Sequence, residues 1–199
     1  MKLFIDLFSG LGGAARAFDE SPKWSTLKFD NKEELIEHNK GMILMDISRV
    51  EETCRVIQAY IENLAPTKLV IWASPPCEQF SFANATRAPD DFDMTLFDAA
   101  RQIIEHFSPD HWILENVRGA QSVFSEELGQ LPTQEIGPVI LWGRFPLIPI
   151  EGRDAFSHNK MNAKGSRVLR PNYRALIPYQ ISKGLRDAID HQRSLTSFF

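Results

Sequence analysis

Ser74-Pro75-Pro76-Cys77-Glu78-Gln79-Phe80-Ser81 follows directly on the apolar run Leu69-Val70-Ile71-Trp72-Ala73, so one of only two cysteines sits where a buried strand empties into a stiff loop. A thiol packed in a core is inert, whereas one at a strand exit can be reached by substrate and deprotonated by its surroundings. Pro75 and Pro76 fix their own φ and bias the residue before each away from helix, which presets an extended turn around Cys77. A second reactive group ends another apolar run, Trp112-Ile113-Leu114, where Glu115 precedes Asn116-Val117-Arg118. A carboxyl at such a position can hold a proton near neutrality, as general acid work requires. Thiol and carboxyl together suit nucleophilic addition assisted by a proton. Each also has a plain structural reading: a cysteine that only packs, and a glutamate that caps or pairs with Arg118.

The elements that must position these groups are legible as alternating strands and helices. Lys2 to Leu7 reads as a strand, Phe8 to Gly13 as a glycine turn and Ala14 to Phe18 as helix, a unit that lets a ligand approach the backbone closely. No Gly-Lys-Ser/Thr follows, which disfavours a P-loop and triphosphate chemistry. Asp30 ends the run Ser25 to Phe29 and Asp46 ends Met42 to Met45, so both acids fall at the same predicted sheet edge, where a carboxylate can hold ribose hydroxyls or an amine. Val50 to Leu64 reads as a helix with Cys54 in its core, and a further helical stretch runs from about Asp93 to Phe107. Glu115 would therefore emerge beside Cys77. The pattern predicts a single α/β domain with a doubly wound, mostly parallel sheet.

In order and spacing, the motifs resemble those of the C5-cytosine DNA methyltransferases. Asp6-Leu7-Phe8-Ser9-Gly10-Leu11-Gly12-Gly13 looks like the cofactor loop of that family, and Pro75-Pro76-Cys77-Glu78-Gln79-Phe80-Ser81 like its nucleophile loop. Thr95-Leu96-Phe97 is similar to an intervening block, and Glu115-Asn116-Val117, about forty residues after Cys77, to the catalytic glutamate motif. The resemblance covers residues 1 to about 125. It implies a Rossmann-like fold that uses S-adenosylmethionine, with Phe8 against the adenine and the Gly10, Leu11, Gly12 and Gly13 backbone near the amino acid part. Asp30 would hold the ribose, and Asp46 and Ile47 would lie near the adenine edge. It further implies that Cys77 adds to C6 of a flipped cytosine, that Glu115 engages N3, and that Gln79, Ser81 and Arg118 contact the nucleotide.

Departures begin after residue 125. About 75 residues remain, too few for a full target recognition domain, and the paired-arginine motif is missing. Arg144, after the apolar run Ile140-Leu141-Trp142, is its best substitute as a catalytic-pocket arginine, the other reading being a structural arginine at a strand end. Residues 151–172 read as an exposed basic loop whose Arg153, Lys160, Lys164, Arg167 and Arg170 could meet phosphates. Ile177 to Ser182 could open a helix to about His191 that packs by the cofactor loop. The last residues, with Gln192, Leu195, Phe198 and Phe199, resemble the PIP box that binds the sliding clamp PCNA, giving a division into a methyltransferase domain at 1–190 and a clamp-binding tail at 191–199. Tethering would offset the formal net charge of −4, which opposes DNA as a global field. Met1 leads straight into the first strand and no apolar run approaches membrane length, so a cytoplasmic protein is expected. Cys-x-x-Cys is absent, which disfavours structural zinc. RNA as substrate, or a silent clamp-binding module, are the competing readings.

Overall fold

The computed structural model describes residues 1–81, 92–150 and 169–192. Seven strands form one sheet in the order β3-β2-β1-β4-β5-β7-β6, with β1 at Lys2–Leu7, β2 at Trp24–Asp30, β3 at Met42–Leu44, β4 at Leu69–Ala73, β5 at His111–Val117, β6 at Gln134–Ile136 and β7 at Val139–Arg144. β1 to β5 pair in parallel, while β7 runs antiparallel to both β5 and β6. The helices are α1 (Arg16–Asp19), α2 (Val50–Leu64), α3 (Thr95–Phe107), α4 (Gln121–Leu128), α5 (Arg170–Arg174) and α6 (Tyr179–Asp190). This is the doubly wound, mostly parallel architecture the sequence predicts, a Rossmann-like sheet.

Strand parity assigns every central side chain to one of two cores. Leu3, Ile5 and Leu7 of β1, Ile71 and Ala73 of β4 and Ile140 and Trp142 of β7 point to one face, where α2, α3 and α4 cover them. Phe4, Val70, Trp72, Ile113 and Leu141 point to the other, under Phe18 of α1 and Ile181, Leu185 and Ile189 of α6. Both faces are apolar, which is why the strands read as continuous hydrophobic runs. Each large side chain so buried contributes about 1.5–3 kcal/mol. α6 is fixed to the glycine-loop unit by Ser182, whose hydroxyl donates to Ala14 O at 2.6 Å and accepts from Ala17 N at 3.0 Å. The expected packing of a late helix beside that loop is thus observed.

The same parity fixes the chemistry. Asp6 follows Phe4, Ser74 follows Trp72 and Glu115 follows Ile113, so all three are aimed toward the α1 and α6 side. Asp6 pairs in register with Trp72, and Ala73 with Leu114, which brings the ends of β1, β4 and β5 level. Gly143, at φ +136, makes the antiparallel return of β7 possible, because a Cβ there would lie 2.1 Å from Trp112 O. The region read as one loop to residue 172 instead turns into α5 at Arg170, where Pro171 occupies a first-turn position that needs no donor.

Candidate active site

A cavity of about 610 Å³ opens at the carboxyl ends of β1, β2, β4 and β5. Its floor is Asp6, Trp72 and Glu115, one wall is the Ser74 to Cys77 loop, and the opposite wall is Arg174 to Pro178. Cys77 and Glu115 line it together, as the strand order requires. The loop is held from below by Asn116, whose buried amide donates to Pro75 O at 2.9 Å. It is held from above by Phe80, buried against Phe92 and Phe124 with ring centroids 4.9 and 5.3 Å away. Turns returning from Phe80 N and Ser81 N to Cys77 O complete its shape.

Burial pushes the Cys77 thiol up to about 11, with Glu115 and Glu78 adding repulsion to a thiolate. Burial also pushes Glu115 up to about 7, partly offset by a hydrogen bond from Ser74. Trp72 Nε1 donates to Ser74 Oγ at 2.7 Å, which leaves the hydroxyl proton of Ser74 for the glutamate. Ser74 is therefore a positioning residue for Glu115, and its signal in sequence was only its place before the two prolines. The resting pair is a protonated thiol beside a carboxyl poised at neutrality, a state from which one proton can be shared.

The predicted cofactor residues converge on the other half of the cavity. Phe8 adopts a left-handed φ of 69° and, with Gly10, Leu11 and Gly13, lines the space above β1. The Asp30 carboxylate accepts Gly10 N–H at 2.8 Å and Lys32 N–H at 3.1 Å. Asp46 and Ile47 close the far end, Asp46 being held low in pKa by the side chain and backbone of Ser48. Gly12 does not line the space; it faces Asn39, whose amide donates to Ser9 Oγ and Gly10 O and so braces the turn. Asn39 had no motif to mark it. Asp6 is the other residue that the sequence reading left without a role: it is buried, one carboxylate oxygen lacks any partner, and desolvation holds its pKa well above the carboxylate range. A cationic ligand group in the cavity would satisfy it.

Gly13 touches Ile177, since a Cβ would meet Ile177 O at 2.7 Å and N at 2.8 Å, both backbone atoms that cannot swing away. Gly13→Ala is expected to push residues 175–178 off the glycine loop. The predicted result is at least a tenfold weaker Kd for S-adenosylmethionine by calorimetry and a Tm several degrees lower.

Besides Gly12, three predicted residues do not reach the site. Arg144 pairs in register with Trp112, near the amino end of β5, and donates to Pro109 O. Because β7 is antiparallel, its last residue lies at the sheet edge opposite Cys77, and Arg144 cannot complete the catalytic pocket. Arg118 is exposed and joined to Glu135 at 3.2 Å, outside the cavity lining. Gln79 exchanges hydrogen bonds with the Asp93 backbone at 2.7 and 2.8 Å, tying the Cys77 loop to the start of α3 rather than facing the cavity. Ser81 does line it. Gln192 is exposed just past α6, while Leu195, Phe198 and Phe199, like Arg153, Lys160, Lys164 and Arg167, lie outside the described residues.

Residues 3–130 match the family described as C-5 cytosine-specific DNA methylase. Among curated proteins the chain is 31% identical over 127 residues to Type II methyltransferase M.HpaII of Haemophilus parainfluenzae, covering 60% of this chain and 32% of that protein. It is 26% identical over 127 residues to Type II methyltransferase M.HgiCI of Herpetosiphon aurantiacus, covering 60% and 28%. The chain thus spans about a third of the length of these relatives. A solved Escherichia coli prophage protein, assigned as a DNA modification methyltransferase, superposes with a TM-score of 0.47 at 20% identity, over 65% of this chain and 36% of that one.

Proposed function

The chain belongs to the C-5 cytosine-specific DNA methylase family, and we propose that it transfers a methyl group from S-adenosylmethionine to C5 of cytosine in DNA through a covalent adduct of Cys77. The observation that carries this reading is the meeting of Cys77 and Glu115, from adjacent strands, in one cavity that also holds the glycine turn. The donor set fits the cofactor: two acids, Asp30 and Asp46, stand where hydroxyls and an adenine edge need acceptors, and the orphan Asp6 oxygen suits a cation. When bound, S-adenosylmethionine supplies an electrophilic methyl group on a cationic sulfur.

The remaining work falls to the protein. Cytosine C5 is a poor nucleophile until something adds at C6, so the Cys77 thiolate forms a bond there and pushes electrons into the ring. Glu115 delivers a proton toward N3 and thereby neutralises the charge that accumulates. C5 then takes the methyl group as the donor's own sulfur–methyl bond breaks, water accepts the C5 proton, the Cys77 sulfur–C6 bond breaks to restore the ring, and N3 returns its proton to Glu115. The base must be out of the stack for Cys77 to reach it. Phe8, Gly10, Leu11, Gly13, Asp30, Asp46 and Ile47 orient the donor, and Ser81 borders the base.

We also read Gln192, Leu195, Phe198 and Phe199 as a tether to PCNA, on the strength of their spacing alone. Incubation with labelled S-adenosylmethionine, with DNA or tRNA, with and without PCNA, tests both readings. The expected result is 5-methylcytosine in DNA, formed faster when PCNA encircles it. Label in tRNA only would overturn the DNA assignment, and a rate indifferent to PCNA would overturn the tether.

A further inference from the structure

The charged side chains lining the cavity divide unevenly: Asp6, Asp30, Asp46, Glu78 and Glu115 against Lys32, Arg170 and Arg174. Five carboxyl groups face a site that, on the reading above, must admit a polyanion. Arg118 and Arg144 offer no relief, because both are engaged outside the cavity. Arg170 and Arg174 differ. They are the two ends of α5, one helical turn apart and so on one face, both exposed and both on the cavity wall. Neither forms an ion pair with a described residue.

Their place on that wall decides what they meet. The chain descends from α5 through Ala175 and Leu176 to Ile177 and Pro178, which are buried against the glycine loop. Arg170 and Arg174 therefore stand at the rim, while the space beside Gly13 belongs to backbone and apolar groups. A small anion deep in the pocket would be out of register with them; a backbone crossing the mouth would not. We propose that Arg170 and Arg174 form a two-point clamp for successive phosphates of the target strand, holding the polynucleotide across the mouth of the acidic cavity. The clamp rests on the proposed function for its substrate and on α5 for its geometry. It supplies locally the positive potential that the chain lacks overall, and its affinity is salt-sensitive because each neutralised phosphate releases counterions.

The double variant Arg170→Gln/Arg174→Gln tests it, with Arg170→Lys/Arg174→Lys beside it. Binding of a short fluorescent DNA duplex is followed by anisotropy over a salt series, and binding of S-adenosylmethionine by calorimetry. The glutamine variant should bind DNA at least about tenfold more weakly, and the slope of log K against log salt should fall by about two. The lysine variant should keep most of the slope, and the cofactor Kd should not move in either. Parent-like DNA affinity and slope in the glutamine variant would overturn the clamp. A weakened cofactor Kd with unchanged DNA binding would reassign the arginines to the donor's carboxylate. Should the parent itself bind the cofactor but no DNA, the proposed substrate fails first, and the same titration with tRNA then asks whether the clamp serves another phosphate backbone.

Discussion

Cys77→Ser is expected to lower methyl transfer by at least about 10⁴-fold while leaving the Kd for S-adenosylmethionine unchanged. The two effects separate because Cys77 stands on the loop after β4, whereas the proposed donor residues come from the end of β2 and the loops after β1 and β3. Serine keeps the size of the side chain and the turn that Phe80 and Ser81 make back to the residue 77 carbonyl. What it removes is a nucleophile that can ionise at all near neutrality. A thiol at about 11 is already a reluctant one. A hydroxyl in the same surroundings, half-buried and beside two glutamates, is beyond reach of any base present. Single-turnover transfer to duplex DNA, read as label in cytosine, measures the first quantity and calorimetry the second. Residual transfer above a thousandth of the parent rate would mean that the adduct is not on the path.

Most of this framework was legible because it is written in local patterns. Apolar runs gave β1, β2 and β4 within a residue of their observed ends, β5 runs two residues past the expected Glu115 to Val117, and Val50–Leu64 is α2 without change. Parallel order then obliges the strand ends to share an edge, so Cys77 and Glu115 had to meet once both strands were recognised. The failures share a different cause. Arg144 ends an apolar strand just as Glu115 does, and nothing local says that β7 runs the other way; its direction is set by pairing with β5 and β6, a long-range property. Arg118 and Gln79 sit beside the reactive residues in sequence, yet Glu135 and Asp93 turn them elsewhere. Asn39 and Arg174 went unread because each acts through a segment far away in the chain, the glycine turn for one and the cavity rim for the other. Motif residues are carried by the backbone that bears them, whereas bracing and electrostatic residues are recruited by tertiary contact.

Glu115→Gln should cost about 10²–10⁴-fold in transfer, and its diagnostic effect is on the pH profile. With the thiol near 11 and Glu115 near 7, the free enzyme between those values is mostly protonated on Cys77 and ionised on Glu115. The reactive form carries the same number of protons placed the other way, thiolate beside carboxylic acid, and it is a small minority of the molecules. Since both forms share a proton count, their ratio does not change with pH across that window, and kcat/KM should be flat from about 7 upward. Below about 7 a further proton goes onto Glu115 while the thiol is still protonated, so the rate should fall tenfold per pH step. The acid limb therefore reports Glu115, even though Glu115 must be protonated to act. Glutamine abolishes the break near 7: it donates a hydrogen bond to N3 without titrating, and it removes the carboxylate that opposes a thiolate. In the variant the dependence should become a single rise toward the thiol's own pKa, displaced below 11, with no plateau at neutrality. Initial rates at limiting DNA from about pH 5.5 to about 9.5 would show it. A variant that kept the parent's break near 7 would assign that ionisation to another group, with Asp6, whose carboxyl also faces the cavity and is raised by burial, the first to be tested.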